Sequence, residues 1–456
     1  MDDKATKRAA LTVATLTSFV TPFMGSSVNI ALPTIGREFA MEAVLLGWVA
    51  TAYLLSAAMF LVPFGRLADI HGRKKVFLYG ILIYALSSFL SAIAPSAIWL
   101  ICVRILQGIG SAGIFGTSIA ILTSVYPAEE RGKVLGISVA AVYSGLSLGP
   151  FLGGFLTQQL GWRSIFYLNV PLSLVIIVVT LWKLKGEWAQ AKGEKFDLTG
   201  SIIYAVTLPA VIYGFSLLPS LSGVWLIAYG ILGLVGFVAW EIRSKSPVFD
   251  MNLFRHNTVF AFSSLAALIN YGASFAVVFL LSLYLQYTKG LNPQAAGTIL
   301  VAQPVIQAVV SPLAGRLSDR IEPRVVASVG MTFTTIALFL FTLLNQDTGL
   351  GFVITSLFVI GFGLALFSSP NTNAIMSSVQ KRYYGVAAAS VGTMRLTGQM
   401  LSMGIAMLVF ALYMGHAQIT PDNYPLFLKS AKTAFTIFTA LCFCGIFASL
   451  ARGKMR

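Results

Sequence analysis

The sequence predicts an all-α integral membrane protein of fourteen transmembrane helices, arranged as two six-helix bundles plus two extra central helices. Three observations carry that prediction. The 456 residues are 57% hydrophobic and only 10% charged, against about 25% charge in a typical soluble domain. Fourteen apolar stretches are each long enough to cross a bilayer, which takes about 20 residues. A polar knot, Gly65-Arg66-Leu67-Ala68-Asp69-Ile70-His71-Gly72-Arg73-Lys74-Lys75, returns in part 250 residues later as Gly315-Arg316-Leu317-Ser318-Asp319-Arg320. A repeat at that distance in so apolar a chain points to a duplicated membrane fold.

The spans can be justified in order. Span one, 10–33, follows Lys4, Lys7 and Arg8 with no small-residue cleavage site, and reads as an uncleaved anchor. It ends in Asn29-Ile30-Ala31-Leu32-Pro33. Span two, 46–65, leads into the first knot, and span three is 76–94. Span four, 98–122, sets Arg104, Gln107, Gly108 and Ser111 on one helical face. A charge at mid-membrane is expensive, so Arg104 should meet a wet cavity or a partner. Span five, 133–157, repeats Gly145, Gly149 and Gly153 every four residues, a smooth face for a neighbouring helix, with Pro150 removing a backbone hydrogen bond. Span six is 163–182. Spans seven, 199–218, and eight, 223–241, hold no Asn, Gln or internal charge and are bordered by charged segments. They read as a peripheral, lipid-facing pair. Spans nine, 258–286, and ten, 294–314, hold Asn270, Gln303 and Gln307, and the knot copy follows. Spans eleven to fourteen are 325–344, 350–372, 384–413 and 431–451, with Arg395, Gln399 and Ser402 on one face of span thirteen.

Charge sets the orientation. With both termini inside, 24 of the 31 Lys and Arg residues fall on the inner side. Arg37, Arg163, Lys289, Lys429 and Lys432 fall outside, and Arg104 and Arg395 lie within spans. That asymmetry predicts a multi-pass cell-membrane protein with cytoplasmic termini. It also assigns the formal charge of +15 to basic loops and not to nucleic-acid binding. The expected domains are an N-terminal bundle, 1–185, the extra pair with its linkers, 186–256, and a C-terminal bundle, 257–456. Cys102, Cys442 and Cys444 lie in apolar stretches without His or acid neighbours, and read as packing residues, with no disulfide or metal site. No His, Asp, Glu or Ser constellation suggests an enzyme. Gly108, Gly110 and Gly113 lie inside a span with no G-K-[ST] after them, which argues against ATP hydrolysis.

Three motifs together resemble the major facilitator superfamily, and specifically its fourteen-span drug:proton antiporter family of multidrug efflux type. They are the knot Gly65 to Lys74, similar to G-x-L-A-D-x-x-G-R-K; Arg104-Ile105-Leu106-Gln107-Gly108-Ile109-Gly110; and Gly145 to Gly154, similar to the exporters' G-x-x-x-G-P-x-x-G-G. The resemblance spans nearly the whole chain. The chain departs from it at Ile70, where a basic residue is usual, and in the second knot, where Glu322-Pro323 replaces the later glycine.

The resemblance implies the major facilitator fold and a division of labour. The knot residues Gly65, Asp69, Gly72 and Arg73, with Asp319 in the copy, would latch the two halves on the cytoplasmic side when the protein faces outward. Gly145, Gly149, Pro150, Gly153 and Gly154 would form the packing motif on which the halves rock. The first, second, fourth and fifth helices of each half would line a central cavity. The mid-span polar residues Asn29, Arg104, Gln107, Asn270, Gln303, Gln307, Arg395 and Gln399 all fall on such helices once the extra pair is skipped. Tyr143, Tyr53 and Tyr271 are candidate aromatic lining. The lipid-facing spans have no such group at mid-depth, Asn169 being nearer an end. A monomer in the lipid bilayer binding a small molecule, with no cofactor and a proton gradient as energy source, is also implied.

One expected residue is missing. The family commonly places an Asp five residues before the Asn of the N-x-A-L-P stretch, and here that position is Met24. None of the sixteen acids falls at mid-membrane. Buried carboxylates usually carry protons in such proteins, so coupling would have to use Asp69 or an acid at a cavity mouth. Two span arginines without acids give a positive cavity suited to neutral amphiphiles or anions. The reading is a secondary active exporter of small amphiphilic compounds by alternating access. The alternatives are a facilitator or importer of a small anionic metabolite, and a membrane sensor or structural protein. For the last, the longest non-apolar stretch, about 183–198, is too short to form a soluble domain.

Overall fold

A computed structural model describes residues 3–244, 249, 251–380, 384–415 and 417–453. Among them, 14 helices are long and apolar enough to cross a membrane, so the chain is a multi-pass membrane protein. The first six spans are Lys4–Glu38, Ala43–His71, Arg73–Ala92, Ala97–Val125, Lys133–Leu160 and Arg163–Trp182. The extra pair is Leu198–Leu217 and Leu221–Arg243. Spans nine to fourteen are Thr258–Thr288, Pro293–Ser318, Pro323–Thr342, Leu350–Ser377, Val386–Tyr413 and Pro421–Ala451.

Several spans start on a side chain that captures an orphan N–H of the first turn. Ser96 accepts from Trp99, Asp197 from Gly200, Asn257 from Phe260 and Asn292 from Ala295. The helices outrun the apolar stretches that announced them, because backbone hydrogen bonding does not stop where hydropathy falls. The plainest case is the knot, which the sequence reads as a polar loop. It is the last turns of span two, helical to His71, and the first turn of span three, from Arg73, with the single residue Gly72 at φ 116° between them. Only glycine adopts that φ without strain.

Two spans are interrupted. Span nine breaks between helices Thr258–Ser274 and Ala276–Leu283, then ends in a π-turn, Tyr284–Thr288. Ser274 donates back to the Asn270 carbonyl at 2.7 Å, a bond that bends helices. The Ala276 N–H leaves the helix for Ser402 Oγ, at 3.0 Å. Span ten breaks at Val301. Pro304 lies one turn on and has no N–H for the preceding turn.

Spans one to six pack on one another, and spans nine to fourteen repeat the same pairings. The sequence repeat reaches into that packing. Gly80 meets Gly110 and Gly113 across spans three and four, and Gly330, 250 residues after Gly80, meets Gly363 across spans eleven and twelve. The halves meet along two symmetric seams, span two against thirteen and span five against ten, with span one against nine between them.

The extra pair is less peripheral than its sequence suggests. Span seven lies against spans two and thirteen, covering one seam. Trp48 and Tyr213 rings are 5.9 Å apart, and a Cβ on Gly404 would come within 2.7 Å of Ile212. Span eight keeps the lipid-facing role, exposing Trp225, Leu232 and Val235. Of the cysteines read as packing residues, only Cys442 is buried, and Cys102 and Cys444 are exposed.

Candidate functional site

The basic loops mark one end of the molecule as the basic end, and the two bundles are tied together at the other, the far end. The tie starts from a proline. Pro33 has no N–H to give the carbonyl of Asn29 one turn back. Ser282 of span nine donates its hydroxyl to that carbonyl at 2.8 Å. Gln286 Nε2 donates to the Ile30 carbonyl at 2.9 Å and the Tyr287 hydroxyl to that of Pro33 at 3.2 Å. Beyond them, the Ala43 N–H bonds the Ala417 carbonyl at 3.1 Å and Gln418 Nε2 the Ala40 carbonyl at 2.9 Å. Among the described residues, apart from the approach of Tyr143 to Ser311 and Gln307 at mid-depth, the hydrogen bonds joining the two bundles lie toward this end. Asn29, expected in the cavity, therefore serves the far-end seal through its backbone, its side chain being buried. Ser282, Gln286 and Tyr287 were not singled out from sequence, although Pro33 signals that its orphaned carbonyl needs a donor.

The glycine motif of span five divides between two partners. A Cβ on Gly145, Gly149 or Gly153 would come within 2.7 Å of span one, at Phe19, Ser26 and Ser27. Gly154 faces the other bundle, where its Cβ would lie 2.5 Å from the Pro293 carbonyl. A Cβ on Gly297 would in turn lie 2.1 Å from the Pro150 carbonyl. The motif thus packs one bundle internally and forms the seam between bundles at its far end.

At mid-depth a polar cluster draws on both halves. Tyr143 of span five faces Gln307 and Ser311 of span ten, with Tyr271 and Arg395 close by. The Arg395 guanidinium lies 5.7 Å from the centre of the Tyr271 ring. Gln303, Gln307 and Gln399 are buried, and Gln303 Oε1 and Ser147 Oγ have no hydrogen-bond partner. Asn270 is fully buried with neither amide atom bonded. Met24 is fully buried. Among the described residues no Asp or Glu lies in the middle of a span, and no group of three His, Cys, Asp or Glu could hold a metal.

Arg104 and Gln107 lie elsewhere, inside the N-terminal bundle. The Arg104 guanidinium stacks 4.3 Å from the Tyr53 ring, donates to the Val49 carbonyl at 3.0 Å and bonds Gln107 Oε1. Gln107 Nε2 and Asn169 Nδ2 both donate to Ser88 Oγ, at 2.8 and 2.6 Å. Tyr53 reaches Ser111 at 2.7 Å. This chain of contacts joins spans two, three, four and six. It makes Asn169, passed over as nearer an end, a buried member of the network. Gly108 allows it, since a Cβ there would sit 1.9 Å from Ser56 Oγ.

At the basic end the knot is held by its own half. Asp69 Oδ1 accepts from Arg73 Nη2 and Nε at 2.7 and 2.9 Å. Arg73 also reaches Ser124 Oγ at 2.7 Å and Gln190 Oε1 at 2.9 Å. The linker after span six lies across the knot. The Arg73 N–H bonds the Trp188 carbonyl, the Ala191 N–H the Asp69 carbonyl, each at 2.9 Å, and the Lys74 N–H Glu187 Oε1 at 2.8 Å. Arg66 pairs with Glu194 at 2.6 Å. Gly72 leaves the room for Glu187, whose carboxyl carbon is 2.4 Å from where a Cβ would stand. A Cβ on Gly65 would meet nothing, while a Cβ on Gly116 of span four would stand 3.4 Å from the Gly65 backbone. The side chain of Asp319 lies outside the described residues.

Arg452, counted from sequence among the solvated basic loops, is fully buried. It donates to the Ser449 carbonyl at 2.7 Å, Asn371 Oδ1 at 3.0 Å and Ser263 Oγ at 3.2 Å. Burial, with Arg324 nearby, lowers its guanidinium to about 10. It binds spans nine, twelve and fourteen as Arg104 binds the other bundle.

The Major Facilitator Superfamily model matches residues 14–403 and 263–453. The riboflavin transporter RibZ of Clostridioides difficile is 29% identical over 94% of this chain and 93% of its own length. The multidrug resistance protein Stp of Mycobacterium tuberculosis is 31% identical over 85% of this chain and 73% of its own. Among solved structures, a bacterial homologue of the human lysosomal transporter Spinster, inward-facing and unoccupied, superposes with TM-score 0.69 at 15% identity, over 98% of this chain and 97% of that one. The chain is therefore a transporter and not an enzyme, and it belongs to the Major Facilitator Superfamily, of the drug-efflux type.

Proposed function

We propose that this chain is a secondary active exporter of small amphiphilic compounds, working by alternating access and energised by the proton-motive force in exchange for protons. The observation that carries the reading is the asymmetry between the ends. The bundles are sealed at the far end by Ser282, Gln286, Tyr287 and the Gly154–Gly297 seam. Below that seal lies a mid-depth cluster contributed by both halves. With the basic loops in the cytoplasm, the protein sits in the cell membrane with both termini inside, and the conformation is inward-facing. The glycine motif of span five, Gly145 to Gly154, favours export over import through its resemblance to the pattern shared by the superfamily's exporters. The knot is engaged by the linker in this state, which leaves its latch role to the outward-facing state. The transporter works as a monomer.

The test uses purified protein in proteoliposomes loaded with a pH-sensitive dye, an imposed proton gradient and a panel of amphiphiles. Substrate-dependent proton flux is expected. Substrate moving down its own gradient without proton flux would make the chain a facilitator.

A further inference from the structure

We propose that the cargo is an organic anion, an aromatic carboxylate, whose charge is held by Arg395. The inference rests on the exporter reading above and names the substrate class of its mid-depth cluster.

The argument starts from how the other buried or half-buried guanidinium groups are satisfied. Arg73 has Asp69, Ser124 and Gln190. Arg66 has Glu194 and Arg163 has Glu38. Arg104 and Arg452 are enclosed by carbonyl, amide and hydroxyl oxygens. Arg324, half-buried at the very start of span eleven, has no such partner either, but among the described residues Arg395 is the one guanidinium left unpaired well inside a span. It is half-buried in the middle of span thirteen, and it makes no hydrogen bond or ion pair. A ring face 5.7 Å away is its one specific contact. A guanidinium has five donors in a planar fork that matches a carboxylate. An unpaired one at mid-membrane is costly, so an acceptor should arrive from outside the chain.

The surroundings complete a site for such a guest. The Tyr143 hydroxyl and the Gln307 amide are donors from the facing helices, placed to share the carboxylate. Tyr271 presents an aromatic wall. Gln303 Oε1, buried and without a partner, can accept from a polar edge of the guest. A cationic guest would meet Arg395 with no acid in reach, and the position that would supply one holds Met24. A neutral guest could accept a hydrogen bond but would leave the guanidinium charge uncompensated.

The experiment uses the full chain in nanodiscs and proteoliposomes. The probes are matched sets of carboxylate, carboxamide and trimethylammonium on naphthalene, biphenyl and coumarin scaffolds. Affinity is measured by calorimetry and transport by uptake, for wild type, Arg395→Gln and Arg395→Lys, with Tm as the folding control. The carboxylates are expected to bind about tenfold or more tighter than the carboxamides, the worth of one charge-assisted hydrogen bond. Arg395→Gln should erase that preference while leaving carboxamide affinity unchanged. Arg395→Lys, which keeps the charge but not the fork, should restore part of it. Tightest binding by the ammonium probes, an undiminished carboxylate preference in Arg395→Gln, or no carboxylate binding would overturn the inference. Equal transport of carboxamide and carboxylate would overturn it too and leave export standing. A carboxylate preference lost in Arg395→Gln, with no probe transported, would instead sustain the site and remove the exporter reading.

Discussion

Gly297→Val tests the far-end seal directly. A Cβ at Gly297 would stand 2.1 Å from the Pro150 carbonyl oxygen, whereas ordinary contact begins near 3.4 Å. Spans five and ten would have to part by the difference, more than 1 Å. The clash exists only while the far end is shut, so the substitution penalises that conformation and not the open one. Overpacking costs about 1–3 kcal/mol, which is roughly a 5- to 150-fold shift in population. Spin labels at Ser96→Cys and Asp347→Cys report it, since both positions are exposed at the far end on opposite bundles. Cys102 and Cys444, both exposed, are first replaced by Ser. The distance distribution should move to a longer population in Gly297→Val, and transport should fall. Gly145→Val is the control. Its Cβ would meet the Phe19 carbonyl at 2.4 Å inside one bundle, so Tm should drop with no lengthening. A distribution in Gly297→Val identical to wild type would refute the claim that this seam closes the far end.

Other expectations follow from the same geometry. Ser282→Ala with Gln286→Ala removes two hydrogen bonds between the bundles, of about 1 kcal/mol each, and should raise labelling of a cysteine placed at Asn29 from the far side; unchanged labelling would count against the seal. Arg104→Ala strands buried acceptors at about 1–3 kcal/mol each; Tm should fall while KM holds, and lost binding at constant Tm would move Arg104 into the cavity. Met24→Asp should confer binding of a quaternary ammonium probe and weaken carboxylates, and no change in either would show that charge preference is set elsewhere. Glu187→Ala with Gln190→Ala should speed amide hydrogen exchange across residues 66–75, whereas wild-type protection would mean that the linker does not hold the knot.

The sequence was most legible where chemistry is forced by the bilayer. Fourteen apolar stretches had to be helices, because hydrocarbon offers a backbone no other partner, and all fourteen are helices of the structure. The close-packing glycines of span five could be read from residue type and spacing. The direction of a side chain could not. Arg104 and Arg395 look alike in sequence, each a lone guanidinium at mid-span, yet one is enclosed within a single bundle and the other faces a cluster from both. Arg452 looked like a solvated terminal cation and is buried, because spans nine, twelve and fourteen converge around it. The linker was a charged connection in sequence, and its contact with the knot depends on a fold-back that no local pattern encodes.

Composition, span count and the repeated knot by themselves determined a duplicated fourteen-helix membrane protein, since the cost of exposed backbone and charge in lipid leaves few alternatives. Tertiary structure alone decided which end is shut, which glycines face their own bundle and which the other, and which arginine is left without an acceptor. Those properties depend on how whole helices rotate and lean against one another. Helix rotation is fixed by packing across hundreds of residues and not by the residues within any one span.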